Sequence, residues 1–348
     1  MLLVFGLGAA LWGLGMVAGV PRQVRLTMLG VLYLAVLGLQ LAFPAGHPLR
    51  TATGETAAPW LLLGAALALV WLYRILLQAL RARAEGRVAP PEDATAAALF
   101  SETELDRYAR HIVLRELGGP GQKALKQARV LVVGAGGLGS PALQYLAAAG
   151  VGTIGVIDGD AVDNANLQRQ VIHRDDAIGM PKVFSARTAM LAQNPFVTVR
   201  PYHREITGEI AEELLADYDV VLDGTDNFAT RYLVNKAAVA RGIPLVSGAL
   251  SQWEGQVSVF DPARGAPCYQ CIFPQAPAAG LAPSCAEAGV IGPLPGVVGA
   301  MMAVEAVKIV TGAGVPLRGT MTIYDALYGE NRQIALDRRA DCPVCGGA

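Results

Sequence analysis

The sequence predicts a mixed α/β fold preceded by apolar helices, and three observations predict it. Arg129–Val133 (RVLVV) reads as a short buried strand that runs into a glycine loop, Gly134-Ala-Gly136-Gly137-Leu-Gly139. Beyond the loop, strand-like and helix-like runs alternate, the pattern of a parallel sheet covered by helices on both faces. Ahead of it lie three long runs almost free of charge, at residues 2–20, 26–43 and 60–80. The predicted class is therefore a Rossmann-like, mostly parallel sheet with an antiparallel extension, preceded by three transmembrane helices.

The three runs are justified first. A bilayer core of about 30 Å needs roughly 20 apolar residues as a helix, so each run is read as a span. Arg74 is the one charge inside the third run, near enough to its end to snorkel to the interface. A cleaved signal peptide is disfavoured, because there is no basic leader and further spans follow. Buried core helices are disfavoured because the runs lack a polar face. Residues 1–88 hold seven Arg, no Lys and two acids, Glu55 and Glu85, a net charge of +5, while the remainder nets −6. Arg22 and Arg25 follow the first run, and Arg81, Arg83 and Arg87 follow the third. The positive-inside rule then places the N-terminus outside and everything after about residue 81 in the cytoplasm. The expected organisation is a membrane anchor over 1–81, a linker rich in Ala, Arg, Glu and Pro over 82–100, and an α/β domain over 101–348.

Composition agrees with this division. Hydrophobic residues make up 53% and charged residues 16% of the 348 residues, with a net charge of −1 and a mean hydropathy of +0.39. That excludes a disordered chain. The charge balance argues against a nucleic-acid binder, which carries a strongly basic field.

In the second region the elements follow in order. The glycine loop leads into a helix at Ser140–Ala149 and a strand at Thr153–Asp158 (TIGVID). Glycines let the backbone approach a phosphate, whose charge meets the free N–H groups at the helix start. Asp158, 19 residues past Gly139, stands at a strand end where it can accept ribose hydroxyls. This fingerprint alone fits a dinucleotide dehydrogenase equally well. Further helices are expected at Lys182–Ala192, Glu209–Ala216 and Asn227–Ala240. Strands are expected at Val197–Tyr202, Val220–Asp223 and Pro244–Ser247. Gln256–Phe260, Thr320–Tyr324 and Gln333–Leu336 supply the antiparallel extension.

The five cysteines form two CxxC pairs, Cys268/Cys271 and Cys342/Cys345, with Cys285 apart. Two such pairs fit a tetrahedral four-thiolate zinc site. Their wide separation means the metal ties the C-terminal tail back onto the domain. Disulfides are disfavoured in a cytoplasmic domain.

Taken together these motifs resemble the ThiF/MoeB/HesA family, relatives of ubiquitin-activating enzymes. The resemblance spans about residues 101–348. It rests on Arg107-Tyr-Ala-Arg110-His, the glycine loop, Asp158-x-Asp160, Asn166-Leu-Gln-Arg169-Gln170, Gly179-x-Pro-Lys182, Asp223-Gly-Thr-Asp226-Asn227, the CxxC pairs and Cys285-Ala-Glu-Ala-Gly289. The stretch from Cys268 through Lys308 looks most like molybdopterin-synthase adenylyltransferases. The resemblance implies ATP-dependent adenylylation of the C-terminal Gly-Gly of a small ubiquitin-fold sulfur-carrier protein. A thiamine-type carrier is the alternative; an NAD-dependent oxidoreductase and an inactive membrane adaptor are further ones.

By the resemblance, Asp158 holds the ribose, Asn166 lies in the nucleotide pocket, and Arg169 and Lys182 hold the phosphates. Asp226 supports Mg and the reacting groups. Arg110 resembles an arginine that reaches the other subunit's ATP, which implies a homodimer. Cys285 matches a position at which some relatives carry a sulfur-transfer thiol. With no rhodanese-like segment in the sequence, the sulfur donor is expected to be a separate protein. On their own, Asp226 and Asn227 can equally cap the next helix. Asp223, His111 and His173 read as structural, and Asp160 and Asp163 as loop or capping residues.

Overall fold

The computed structural model describes residues 2–54, 56–85, 99–277 and 288–346. The chain forms two compact units, residues 1–97 and 98–348.

The first unit is helical: α1 (Leu2–Val17), α2 (Arg22–Ala42), α3 (Pro48–Thr53) and α4 (Ala58–Glu85). Glycine in the left-handed region at Gly19 (φ 67°), followed by Pro21, ends α1 early. At 16 residues and 1.5 Å per residue, α1 is roughly 24 Å long. That is shorter than the expected span over 2–20. The arginines Arg22 and Arg25 lie within α2 rather than in a loop. By length and composition, α2 and Ala58–Leu77 of α4 suffice to cross a membrane. Inside this unit Val4, Val36 and Trp60 pack together. Buried Gln40 ties the end of α2 to α3, its Nε2 donating to the Arg50 carbonyl (2.9 Å) and to Thr53 Oγ1 (2.9 Å). The outer faces stay apolar and exposed, with Leu62, Leu69, Trp71 and Leu72 on α4. α4 runs through Glu85, so it takes in the first residues of the expected linker; residues 86–98 lie outside the described residues.

The second unit opens with α5 (Glu102–Arg107), α6 (Ala109–Ile112) and α7 (Gly118–Gln127). Ser101 and Glu104 form a reciprocal capping box at the start of α5. The α/β alternation follows: β1 (Arg129–Val133), α8 (Gly139–Ala149), β2 (Thr153–Ile157), α9 (Lys182–Gln193), β3 (Thr198–Tyr202), α10 (Gly208–Leu215), β4 (Val220–Asp223), α11 (Phe228–Arg241) and β5 (Leu245–Leu250). Then come β6 (Glu254–Phe260), α12 (Tyr269–Ile272), α13 (Pro293–Thr311), β7 (Thr320–Asp325) and β8 (Glu330–Ala335).

One eight-stranded sheet has the order β3-β2-β1-β4-β5-β6-β7-β8. The first five strands in that order are parallel, and β6, β7 and β8 extend them antiparallel. The central strands are continuous hydrophobic runs because both faces are covered. Val130 and Val132 of β1 face a core shared with α8 and α13, while Leu131 and Val133 face one shared with α10 and α11.

α13 is long and apolar enough to cross a membrane by composition. Its Leu294, Val298, Met302 and Ala306 are instead buried in the core of the sheet. Gly299 lets it press onto the start of α8, since a Cβ there would stand 2.3 Å from the Leu138 carbonyl oxygen.

The order reverses between β1 and β4. Open α/β sheets bind ligands at such a switch point, outside the carboxyl ends of the strands. Gly139 makes the approach of α8 to this point possible. A Cβ on it would lie 1.9 Å from the Gly134 carbonyl oxygen, backbone that cannot move aside. Gly139→Ala is therefore expected to destabilise the unit by about 1–3 kcal/mol. Gly136→Ala should fold normally, because its Cβ would meet only Gln170 Nε2, at 3.7 Å. Urea unfolding of the two variants checks the contrast.

Candidate active site

A crevice of about 1340 Å³ opens at the switch point. Gly134, Gly136 and Gly137 line it together with Asp158, Asp160, Arg169, Gln170, Lys182, Thr225, Asp226 and Arg231. The structure thus gathers most of the residues singled out in the sequence.

The glycine loop is positioned by backbone. Gly134 N–H donates to the Ile157 carbonyl (2.9 Å), and Gly224 N–H to the Val133 carbonyl (3.0 Å). Gly134 takes φ 91°, which L side chains rarely adopt. Gly139 is buried behind the loop and serves packing rather than lining the crevice.

Asp158 ends β2 and is half-buried. Its Oδ2 accepts from Ala135 N–H (2.8 Å) and its Oδ1 from Asp160 N–H (2.8 Å). Each oxygen keeps a further lone pair for a ligand. The carboxylate therefore fixes the glycine loop while facing the crevice.

Two cations line the crevice with it. Arg169 NH2 donates to Asn166 Oδ1 (2.9 Å), so Asn166 acts on the crevice through Arg169 rather than by lining it. Lys182, at the first turn of α9, is buried, and its Nζ donates to Asp160 Oδ2 (2.7 Å). Asp160 is thus more than a loop residue: it holds the lysine in place. The sequence offered no signal for this pairing, because 22 residues separate the two.

His173 lies beneath the loop. Its ring nitrogens bond Ser185 Oγ (2.9 Å) and the Ala135 carbonyl (2.9 Å). Burial lowers its pKa, outweighing the raising effect of the Ala135 bond. This is a structural histidine, as its sequence context suggested. His111 likewise bonds Gln122 Oε1 (3.1 Å).

Asn227 caps α11, its Oδ1 accepting from Thr230 N–H (2.9 Å). Asp226 is thereby spared that duty and stands exposed at the crevice. The loop that carries it is clamped from two sides. Buried Asp223 accepts from Thr225 N–H (2.9 Å) and Oγ1 (2.7 Å). Arg231, also buried, donates to the Thr225 carbonyl, to the Gly248 carbonyl (2.7 Å) and to Ser247 Oγ (3.1 Å). Sequence reasoning missed Arg231; a lone arginine in an amphipathic helix reads as solvated.

Arg110 is exposed on α6 and does not line the crevice. Cys285 lies outside the described residues.

The other four cysteines converge. Cys268 Sγ lies 3.9 Å from Cys271 and 3.6 Å from Cys342, and Cys271 lies 3.4 Å from Cys345. All four sulfurs fall within 4.8 Å of one another and are buried. Zn–S bonds of about 2.3 Å in a tetrahedron place sulfurs about 3.8 Å apart, so the cluster fits a zinc ion. Burial raises the Cys342 thiol, yet N–H groups of Val344 and Cys345 and the neighbouring sulfurs outweigh it and pull it down to about 7. Arg339 N–H donates to Cys271 Sγ (3.5 Å). The Cys342 thiol thus tends toward thiolate, the metal-binding form, whereas burial raises the Cys268 and Cys345 thiols. Cys271 sits in α12 between Tyr269 and Phe273, both of which line the crevice. The cysteine cluster therefore braces one wall of the site.

The fold has counterparts in known proteins. A crystal structure of E. coli MccB with ATP superposes at a TM-score of 0.61 and 23% identity, covering 69% of this chain and 74% of that one; this likeness concerns the fold alone. The sulfur carrier protein adenylyltransferase of Thermus thermophilus is 51% identical over 251 residues, 71% of this chain and 93% of the relative. The SAMP-activating enzyme E1 of Haloferax volcanii is 48% identical over 244 residues, 70% of this chain and 90% of the relative. Residues 108–344, nearly the whole second unit, match the ThiF family, and with that extent of agreement the chain belongs to the ThiF family.

Proposed function

We propose that this chain adenylylates the C-terminal Gly-Gly of a small ubiquitin-fold sulfur carrier of the molybdopterin-synthase type, consuming ATP and releasing pyrophosphate. One observation carries the reading: the glycine loop, Asp158, Asp226, Arg169 and Lys182 line a single crevice at the sheet's switch point, in a chain 51% identical to a sulfur carrier protein adenylyltransferase.

In this reading Asp158 accepts the ribose hydroxyls of ATP, and the glycine-loop N–H groups meet its phosphates. Arg169 and Lys182 offset phosphate charge, Arg169 with a fork that can clamp two oxygens. The carrier's terminal carboxylate is already ionised at neutral pH, so no general base is required. Its oxygen attacks the α-phosphorus, the bond to the bridging oxygen of the β-phosphate breaks, and pyrophosphate leaves. Asp226 is the carboxylate suited to Mg²⁺, an ion that supplies charge neutralisation when bound with phosphate oxygens. Arg110 serves the partner subunit's ATP in a homodimer. Cys285 belongs to a later sulfur-transfer step, with sulfur from a separate donor protein. The protein's contribution is positioning and fixed charge.

The test is ATP–pyrophosphate exchange with purified full chain and a carrier ending in free Gly-Gly. Exchange that depends on that terminus supports the reading. NAD binding with no exchange would replace it by an oxidoreductase.

The helical unit anchors the enzyme in the membrane, with the catalytic unit in the cytoplasm. The supporting observations are two helices of spanning length and the arginine distribution. Protease added outside intact cells is expected to spare residues 101–348; digestion of that region from outside would reverse the orientation.

A further inference from the structure

The membrane-type unit contains an unexplained apolar groove of about 750 Å³ between α1, α2 and α4. Phe5, Trp12, Met16, Leu29, Tyr33 and Leu67 are among its lining residues. Its size is that of a ligand pocket. At one end, where Met16 of α1 and Leu26 of α2 line it, lies Arg25, which forms no ion pair among the described residues. The Arg25 stem crosses α1 at Gly15: a Cβ on that glycine would come within 2.9 Å of Arg25 Cγ and Cδ. The guanidinium carbon then rests 4.6 Å from the centre of the Trp12 ring. Arg25 Nε and NH1 are buried and find no hydrogen-bond acceptor among the described residues. Buried donors without acceptors cost free energy. These donors stand beside an apolar groove.

The geometry points to a binding site for an anionic glycerophospholipid, its acyl chain in the groove and its phosphate on Arg25. The inference rests on the membrane reading of this unit. Charge decides the headgroup: a zwitterionic lipid brings its own cation to the guanidinium, whereas an anionic phosphodiester brings only acceptors. Basic positions between membrane helices on the cytoplasmic side are suited to such headgroups, and the arginine distribution puts Arg25 on that side. The Trp12 ring holds the guanidinium at the groove end, and Gly15 leaves the passage its stem needs.

The experiment uses the full chain. Membranes are first washed with alkaline carbonate; release of the chain without detergent would remove the membrane reading itself. Chain retained in membranes is then placed in nanodiscs with brominated phosphatidylglycerol or brominated phosphatidylcholine of identical acyl chains. Quenching of tryptophan fluorescence reads occupancy beside Trp12 and Trp60, which both line the groove. A preference of roughly fivefold or more for phosphatidylglycerol is expected from one engaged arginine. Arg25→Gln should abolish the preference. Gly15→Val should do the same without altering charge, because it displaces the Arg25 stem. Arg22→Gln, at an exposed position on the same end of α2, should leave the preference in place. Equal quenching by both lipids in the unaltered chain overturns the site. So does equal loss in Arg22→Gln and Arg25→Gln, which would mean general surface attraction. Failure of either lipid to quench, with tryptophans protected in a cross-linked dimer, would assign the groove to a second copy of the chain instead.

Discussion

Asp226→Ala is expected to reduce carrier-dependent ATP–pyrophosphate exchange by about 10²–10³-fold, while Cys285→Ser leaves exchange intact. The magnitude is that of losing one preorganised electrostatic group at the point where charge develops. Asp226 stands exposed at the crevice because Asn227 takes over the capping of α11. Its loop is fixed through Asp223, Thr225 and Arg231. Truncating a free carboxylate held on a clamped loop removes charge without disturbing the fold, so the variant should keep its metal content and unfolding midpoint. In the proposed function Cys285 acts only after the acyl-adenylate exists, so exchange does not need it. Near-normal exchange in Asp226→Ala would overturn the active-site assignment. Loss of exchange in a folded Cys285→Ser chain would move that thiol into adenylylation. Both assays need a carrier with a free Gly-Gly end and dimeric enzyme, since Arg110 is assigned to act across subunits.

Cys342→Ser should release the zinc and destabilise the catalytic unit by roughly 4 kcal/mol or more, the scale of losing a structural metal. For a unit of this size that corresponds to a fall in Tm of order 10 °C. The reason is linkage: an ion held by the folded arrangement of Cys268, Cys271, Cys342 and Cys345 would add its binding free energy to folding. Metal analysis of fresh protein should give one zinc per chain. Chelation should reproduce the mutant's midpoint, and acid should act in the same direction, because protons compete for thiolates. ATP binding should weaken in parallel, since Tyr269 and Phe273 flank Cys271 and line the crevice. Unchanged metal content or stability in Cys342→Ser would refute the site.

Much of the fold was legible in the sequence for a simple reason. A strand buried on both faces must be apolar throughout, and a glycine loop between such a strand and a helix has few uses. β1, β2, β4 and β5 and the helices α8, α9 and α11 fall where the pattern puts them. α13 did not announce itself, because a helix buried against a sheet loses the polar face that marks amphipathic periodicity. Its Gly299 and Met302 gain meaning only once β5 and α8 are beside them. α1 showed the converse limit: an apolar run measures hydrophobicity, whereas the helix stops where Gly19 and Pro21 break it.

By itself the sequence determined residue chemistry and local order: which runs are apolar, where glycine permits close backbone approach, and which side chains carry charge or thiols. Those properties belong to single residues and short spacings, so one chain displays them. Only the tertiary structure decided which of those groups share a site. It brought Cys268 and Cys271 to Cys342 and Cys345, set Asp160 under Lys182, and put Arg231 behind the loop that bears Asp226. It also placed Gly139 behind the crevice and left Arg110 away from it. Such pairings arise from sheet order and helix packing across tens of residues, and no local pattern encodes the distance between groups that meet only when the chain has folded.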